Sequence, residues 1–370
     1  YLFNDYWGPV QVELKLSDAI NVLSEPELPA RFIIPGQEEQ LLVGLGALDP
    51  QRGFRYRLNV ASVPGPPIAI TIDGLVLRPP FEPDKAYIFF AHVIKGQSYN
   101  MPMLQRMLDL GCTLIDYERV VDEKNRRLIF FGWHAGVAGM IDTLWALGQR
   151  LAWEGVANPF TSLRPTHTYH DLAEAKAAFE EVRARIEAEG LPEQILPLIV
   201  GVAGYGNVSR GAQEMLDLLP TVEIEPEEIA DVATGRDDAR QHIYKAVFKE
   251  WHMVEPVSPD ASFDLQDYYD HPEKYSGVFE RYMPHLTVLV NAIYWTERYP
   301  RLVTKAYLKE LFGGPETPRL RVIGDISCDV DGAIECTVKS TEPGEPVYVY
   351  NPFTGAVVDG HEGNGILMMA

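Results

Sequence analysis

Cysteine is scarce in this sequence: Cys112, Cys328 and Cys336 are the only three in 370 residues, an odd number without CxxC spacing. That excludes a disulfide framework and a cysteine zinc site, and it fits reduced thiols in a cytosolic protein. Long apolar runs are missing too. None reaches the roughly 18 residues that would span a bilayer, so no membrane partner is expected. No basic segment followed by an apolar one marks a secretory leader, and the expected location is cytoplasmic. The basic residues form no stripe, and 32 Lys and Arg against 53 Asp and Glu leave a formal net charge of −21. Such a chain repels phosphate backbones, which excludes nucleic acid as a partner. There is no internal repeat.

What remains is ordinary globular composition, 46% hydrophobic and 23% charged. The length exceeds what one compact core usually supports, so two lobes with a cleft are expected. Residues 1–80 read as strand-rich and proline-punctuated, with alternation at Gln11 to Leu16 and Phe54 to Val63. A short buried strand at Ala86 to Phe90 runs into His92. Asn100 then stands where an N-cap would precede the periodic Met103, Leu104, Met107 and Leu108, closed by Gly111. A second strand at Thr113 to Ile115 delivers Asp116 and Glu118. Gly132 opens a long apolar helix through about Trp153. Asp171 with Glu174 starts another, stopped by Gly190 and Pro192. Beyond Pro197, strands at Leu198 to Val202, Tyr244 to Phe248, Leu286 to Asn291 and Arg321 to Ile326 alternate with helices, the pattern of a doubly wound parallel sheet. Asp260 to Tyr282 reads as an insertion.

The most specific local motif is Gly201-Val-Ala-Gly204-Tyr-Gly206-Asn207-Val208-Ser209-Arg-Gly211-Ala212. It follows an apolar strand and opens a helix, the context in which glycines let a backbone approach a pyrophosphate at the helix N-terminus. An acidic residue about 20 positions on should meet the adenosine ribose. Glu223 and Glu225 lie 19 and 21 positions after Gly204, and either could do it. The second constellation is Phe90-Ala-His92-Val-Ile-Lys95-Gly-Gln97, a histidine and a lysine at a strand exit, where a histidine can shuttle protons near neutral pH. No metal site is expected: Asp264, Asp267, Asp270 and His271 read as a solvated loop, and His167 and His170 flank a helix start instead of sharing one face.

Six blocks in order resemble the lysine-ketoglutarate reductase and saccharopine dehydrogenase family, of the alanine dehydrogenase-like superfamily. They are the His92 block, Leu114-Ile-Asp116-Tyr-Glu118, Phe131-Gly-Trp-His-Ala-Gly136-Val-Ala-Gly139, the Gly204 motif, Val290-Asn291-Ala-Ile-Tyr294-Trp295 and Gly324-Asp325-Ile-Ser327-Cys-Asp329. The resemblance implies two Rossmann-like doubly wound α/β domains with a cleft between them. Residues 1–135 would be the substrate and catalytic domain, 136–340 the dinucleotide-binding domain, and 341–370 a truncated return segment toward the first. It implies condensation of L-lysine with 2-oxoglutarate to saccharopine in lysine degradation, with NADP or NAD as cofactor and NADPH favoured, in a homo-oligomer. His92, Lys95 and Glu118 are the implied catalytic residues. Gly204, Gly206, Asn207, Val208, Glu223, Glu225, Asn291 and Asp325 are those expected to bind the cofactor. A saccharopine dehydrogenase working in another direction, an opine-like reductase, and a nucleotide-binding homologue without catalysis are the alternatives. The last arises because the family's lysine-bearing strand end has no lysine at Ile72-Asp-Gly-Leu-Val-Leu77-Arg78, and its arginine-rich opening block is not recognisable in residues 1–80.

Overall fold

In the computed structural model the chain divides into two units, residues 1–130 and 131–370. The structure describes residues 81–94, 96, 100–315 and 317–370, and before residue 81 only the backbone of strands. Among those, Val10–Ile20 pairs antiparallel with both Ala30–Ile34 and Arg55–Pro64, in the two regions whose alternation predicts strands.

In the first unit, strand β1 (Ala86–Phe89) and strand β2 (Thr113–Asp116) pair in parallel through helix α1 (Met101–Asp109). Met103 and Met107, one helical turn apart, are buried against Phe81 and Ala91. The chain leaves α1 through Gly111 at φ +64°, a left-handed position that glycine takes without strain. Among the described residues this βαβ unit is the only parallel pairing of the first unit. Asn100 does precede α1, but its side chain does not cap the helix. It donates instead to the carbonyl of His92 at 2.9 Å.

The second unit is built on an eight-stranded sheet. Its strands are β3 (Leu198–Ala203), β4 (Thr221–Ile224), β5 (Ile243–Phe248), β6 (Val288–Asn291), β7 (Val322–Asp325), β8 (Val347–Tyr350), β9 (Val357–Asp359) and β10 (Ile366–Met369). Their spatial order is β4-β5-β3-β6-β7-β10-β8-β9. From β4 to β10 every pairing is parallel. All six residues of β3 are buried, as a strand covered on both faces requires. Residues 341–370, expected to turn back toward the first domain, instead supply β8, β9 and β10 to this sheet. Their apolar runs are buried there. Each fully buried Leu or Ile in such a sheet contributes roughly 1.5–3 kcal/mol.

Helix α2 (Gly132–Trp153), helix α3 (Leu172–Glu189) and helix α4 (Asn207–Leu216) cover one face. Asp171 caps α3 by accepting from the Glu174 N–H, and Glu174 in turn accepts from the N–H of His170. A Cβ at Gly136 would lie 1.8 Å from the Val208 carbonyl, and one at Gly211 would lie 2.0 Å from the Trp133 carbonyl. The backbones of α2 and α4 therefore touch. Glu214 ties the three helices, accepting from Trp133 Nε1 at 2.9 Å and from Lys176 Nζ at 2.7 Å. Arg150 is buried and donates to the carbonyls of Gly363 and Gly365, anchoring the turn before β10 to α2.

On α2, burial pushes the Asp142 carboxyl up to about 6, although the Thr166 N–H donates to it at 2.7 Å. The fold therefore holds a proton there that the unfolded chain releases near pH 4. The resulting penalty is full above about pH 6 and is relieved as pH falls toward 4. Asp142→Asn is expected to raise stability by about 1–2 kcal/mol at pH 7.5 and by much less at pH 5. Thermal melts of both proteins at the two pH values would read this, and equal shifts at both would refute it.

Candidate functional site

In the first unit the backbone turns sharply as it leaves β1. His92 has φ +51°, a left-handed value uncommon outside glycine and asparagine. The Asn100 amide on its carbonyl supports that conformation. Its ring stacks on Phe90 with centroids 5.7 Å apart, and the Arg127 guanidinium lies 5.7 Å from the Phe90 centroid. Glu118, only 7% exposed, lies between the His92 ring and the Arg127 guanidinium: Oε2 is 3.7 Å from His92 Nδ1, and Oε1 is 3.3 Å from Arg127 Nη1. Asp116, at the end of β2, sets this up by accepting from the N–H groups of Glu118 and Ala91. His92 and Glu118 thus stand side by side, while Lys95 lies outside the described residues. Sequence reasoning did not single out Arg127. Its signal would have been a basic residue paired across the polar turn, since Val121 bridges Arg127.

In the second unit the candidate site lies at the carboxyl ends of the parallel strands. Gly204 takes φ +96° directly after β3, and a Cβ there would stand 3.1 Å from the Ala292 carbonyl. The turn needs glycine. Gly206 caps α4 and a Cβ added to it would meet nothing within 4 Å, so the space above the first helical turn is open. The N–H groups of that turn have no acceptor within the helix and carry the positive end of its dipole. These residues therefore fit a dinucleotide pyrophosphate, which Gly204, Gly206 and the first residues of α4 would hold. Asn207 is exposed beside that space, and Val208 is half-buried against Gly132.

Asn291 and Asp325 end β6 and β7 as register partners, each 1% exposed. Asn291 Nδ2 donates to Asp325 Oδ1 at 2.8 Å, and Thr337 Oγ1 donates to Oδ2 at 2.5 Å. Burial nevertheless pushes the Asp325 carboxyl up to about 6. Carboxyls raised in this way by burial at a strand end cluster at functional sites.

The two carboxylates expected at the ribose are not brought to the glycine turn. Glu223 and Glu225 belong to and follow β4, the edge strand, and β5 lies between β4 and β3. Two strand spacings, roughly 9–10 Å, separate them from the turn. Glu223 is bound instead to Lys245 Nζ at 3.0 Å, and the Glu225 N–H donates to Glu228. The expectation counted residues along the chain, whereas here the strand beside β3 is the later one. That strand ends beside Gly204, whose N–H donates to the Phe248 carbonyl at 2.9 Å. Two residues on is Glu250, which lines a cavity of about 400 Å³ with Gly204, Tyr205, Gly206, Tyr269 and Trp295. Sequence reasoning missed Glu250. Among the described residues no cluster of His, Cys, Asp and Glu could hold a metal ion, and no helix is long and apolar enough to cross a membrane.

The alpha-aminoadipic semialdehyde synthase of Arabidopsis thaliana is 39% identical over 315 residues, which are 80% of this chain and 29% of that protein. The chain is thus a homologue of the alpha-aminoadipic semialdehyde synthases and of the saccharopine dehydrogenases. A mitochondrial alpha-aminoadipic semialdehyde synthase of Mus musculus is 36% identical over 310 residues, covering 79% of this chain and 33% of its own length. The saccharopine dehydrogenase (NAD(+), L-lysine-forming) of Neurospora crassa is 27% identical over 271 residues, covering 72% and 55%. The chain thus spans about a third of the length of the synthases it matches. No protein-family model matches it.

Proposed function

We propose that this chain is a nicotinamide-dependent oxidoreductase that joins the side-chain amine of L-lysine to 2-oxoglutarate and reduces the product to saccharopine. The observation that carries the reading is the strand-end site of the second unit. An open glycine turn at a helix N-terminus stands on β3, and the buried Asn291–Asp325 pair ends the two strands that follow β3 across the sheet. When bound, the dinucleotide supplies or accepts hydride at the carbon of the C–N bond.

The chain's own residues supply the rest. Adding an amine to a ketone gives a carbinolamine, and loss of its hydroxyl as water needs a proton delivered to that oxygen. His92 can deliver and recover that proton. Glu118 is a positioning residue: its carboxylate faces the ring at 3.7 Å, and Arg127 holds its other oxygen. Asp116 fixes the backbone that carries Glu118. At the other site, Asn291 and Thr337 keep the Asp325 carboxyl in one orientation at the sheet end.

The full chain mixed with L-lysine, 2-oxoglutarate and NADH or NADPH is expected to show lysine-dependent loss of reduced-nicotinamide absorbance and formation of saccharopine. Tight coenzyme binding without lysine-dependent turnover would sink the assignment.

A further inference from the structure

We propose that Glu250 makes this chain select NADH over NADPH by taking the adenosine ribose hydroxyls; this rests on the nucleotide-site reading above. Three observations on the second unit converge. First, β5 is the strand beside β3 on the side where β4 ends the sheet, so the residues following Phe248 stand where the ribose of a nucleotide on the Gly204–Gly206 turn would lie. Second, Glu250 has one oxygen in use and one in need of a donor. Its Oε1 accepts from Tyr269 Oη at 2.7 Å and Tyr205 Oη at 3.4 Å, while Oε2 is buried without a hydrogen bond among the described residues. A buried carboxylate oxygen lacking a donor is costly, and a ribose diol provides two hydroxyl donors once the side chain turns toward it. Third, the cations nearby are engaged. Arg301, which lines the same cavity, donates to the carbonyls of Asp331 and Gly332. The Lys249 ammonium lies 5.1 Å from the centroid of the Trp251 ring.

A 2′-phosphate would therefore meet a carboxylate, while Arg301 and Lys249, the cations described nearby, are already turned to other partners; a 2′-hydroxyl would meet an acceptor. Met253, Val254 and Tyr268 supply apolar wall to the same cavity, as an adenine ring needs. This reverses the coenzyme preference that the family resemblance implies.

The test is direct binding, by titrating the full chain with NADH and with NADPH and following nicotinamide fluorescence. NADH is expected to bind tighter by on the order of 100-fold, since a charged hydrogen bond is gained and a like-charge contact avoided. Glu250→Arg, verified as folded by circular dichroism and thermal melting, should reverse the order. Glu250→Gln, which keeps the size and an acceptor, should narrow the gap by weakening NADH and admitting NADPH. Equal or tighter NADPH binding by the native chain would overturn the role of Glu250 and leave the nucleotide site standing. A preference for NADH that survives both substitutions would do the same. Binding of neither coenzyme would bring down the nucleotide-site reading itself.

Discussion

Replacing His92 with asparagine is expected to lower the lysine-dependent rate by roughly 10²- to 10⁴-fold, the usual contribution of a positioned acid-base group. Asparagine is the informative substitution because position 92 sits at φ +51°, a conformation asparagine adopts more readily than alanine, so backbone relaxation is minimised. The amide cannot relay a proton. Coenzyme affinity should stay unchanged, because the residues proposed to hold the nucleotide all belong to residues 131–370, a separate unit. The measurement is kcat with saturating lysine and 2-oxoglutarate beside a coenzyme titration. A loss of less than tenfold would remove His92 from proton transfer, and a parallel loss of coenzyme binding would point to misfolding.

The parts of this molecule written in local sequence were readable. The Gly204 motif announced its own turn and helix, because apolar strand, glycines and amphipathic helix are consecutive in the chain and depend on neighbours only. The four parallel strands after Pro197 were legible for the same reason, as apolar runs spaced by helices. His92 and Glu118 could be paired only through the family resemblance, since 26 positions separate them and their approach is made by β1 and β2 lying side by side. Strand order was not legible. Nothing in Thr221–Ile224 says that it takes the edge while Ile243–Phe248 takes the place beside β3, so counting along the chain points to Glu223 and Glu225 and not to Glu250. The destination of residues 341–370 was hidden likewise, because an apolar strand does not encode which sheet it completes.

Gly211→Ala is expected to destabilise the second unit severely, although it adds a single methyl group. Most helix-interior glycines gain by replacement with alanine, by up to about 1 kcal/mol. At Gly211 the added carbon would lie 2.0 Å from the Trp133 carbonyl oxygen, 2.9 Å from its carbon and 3.0 Å from the Val137 nitrogen, all backbone of α2. No rotamer change relieves a backbone clash, so α4 must move bodily or the unit must unfold. The expected cost is about 3 kcal/mol or more, at or beyond the upper end for overpacked cores. Gly136→Ala meets the Val208 carbonyl at 1.8 Å and should behave the same way. Any α4 displacement also moves the amides of the glycine turn, so coenzyme affinity should fall with stability. Gly344→Ala, where an added carbon meets nothing within 4 Å, is the control. Chemical denaturation of the three variants would decide it, and a Gly211→Ala protein as stable as the control would show that the helices do not touch as described.

The position of β10 bears on how the second unit can be completed. Ile366–Met369 pairs in parallel with β7 and antiparallel with β8, so the final strand of the sheet occupies an interior slot. During synthesis β3 to β7 emerge first, leaving β7 as an open apolar margin. The β8–β9 hairpin emerges next with no ladder to the rest, because β8 reaches the sheet only through β10. The hairpin therefore joins the sheet only once β10 has emerged. A chain shortened before Ile366 would lose both ladders at once, set the hairpin adrift and bare the edge of β7 to intermolecular pairing.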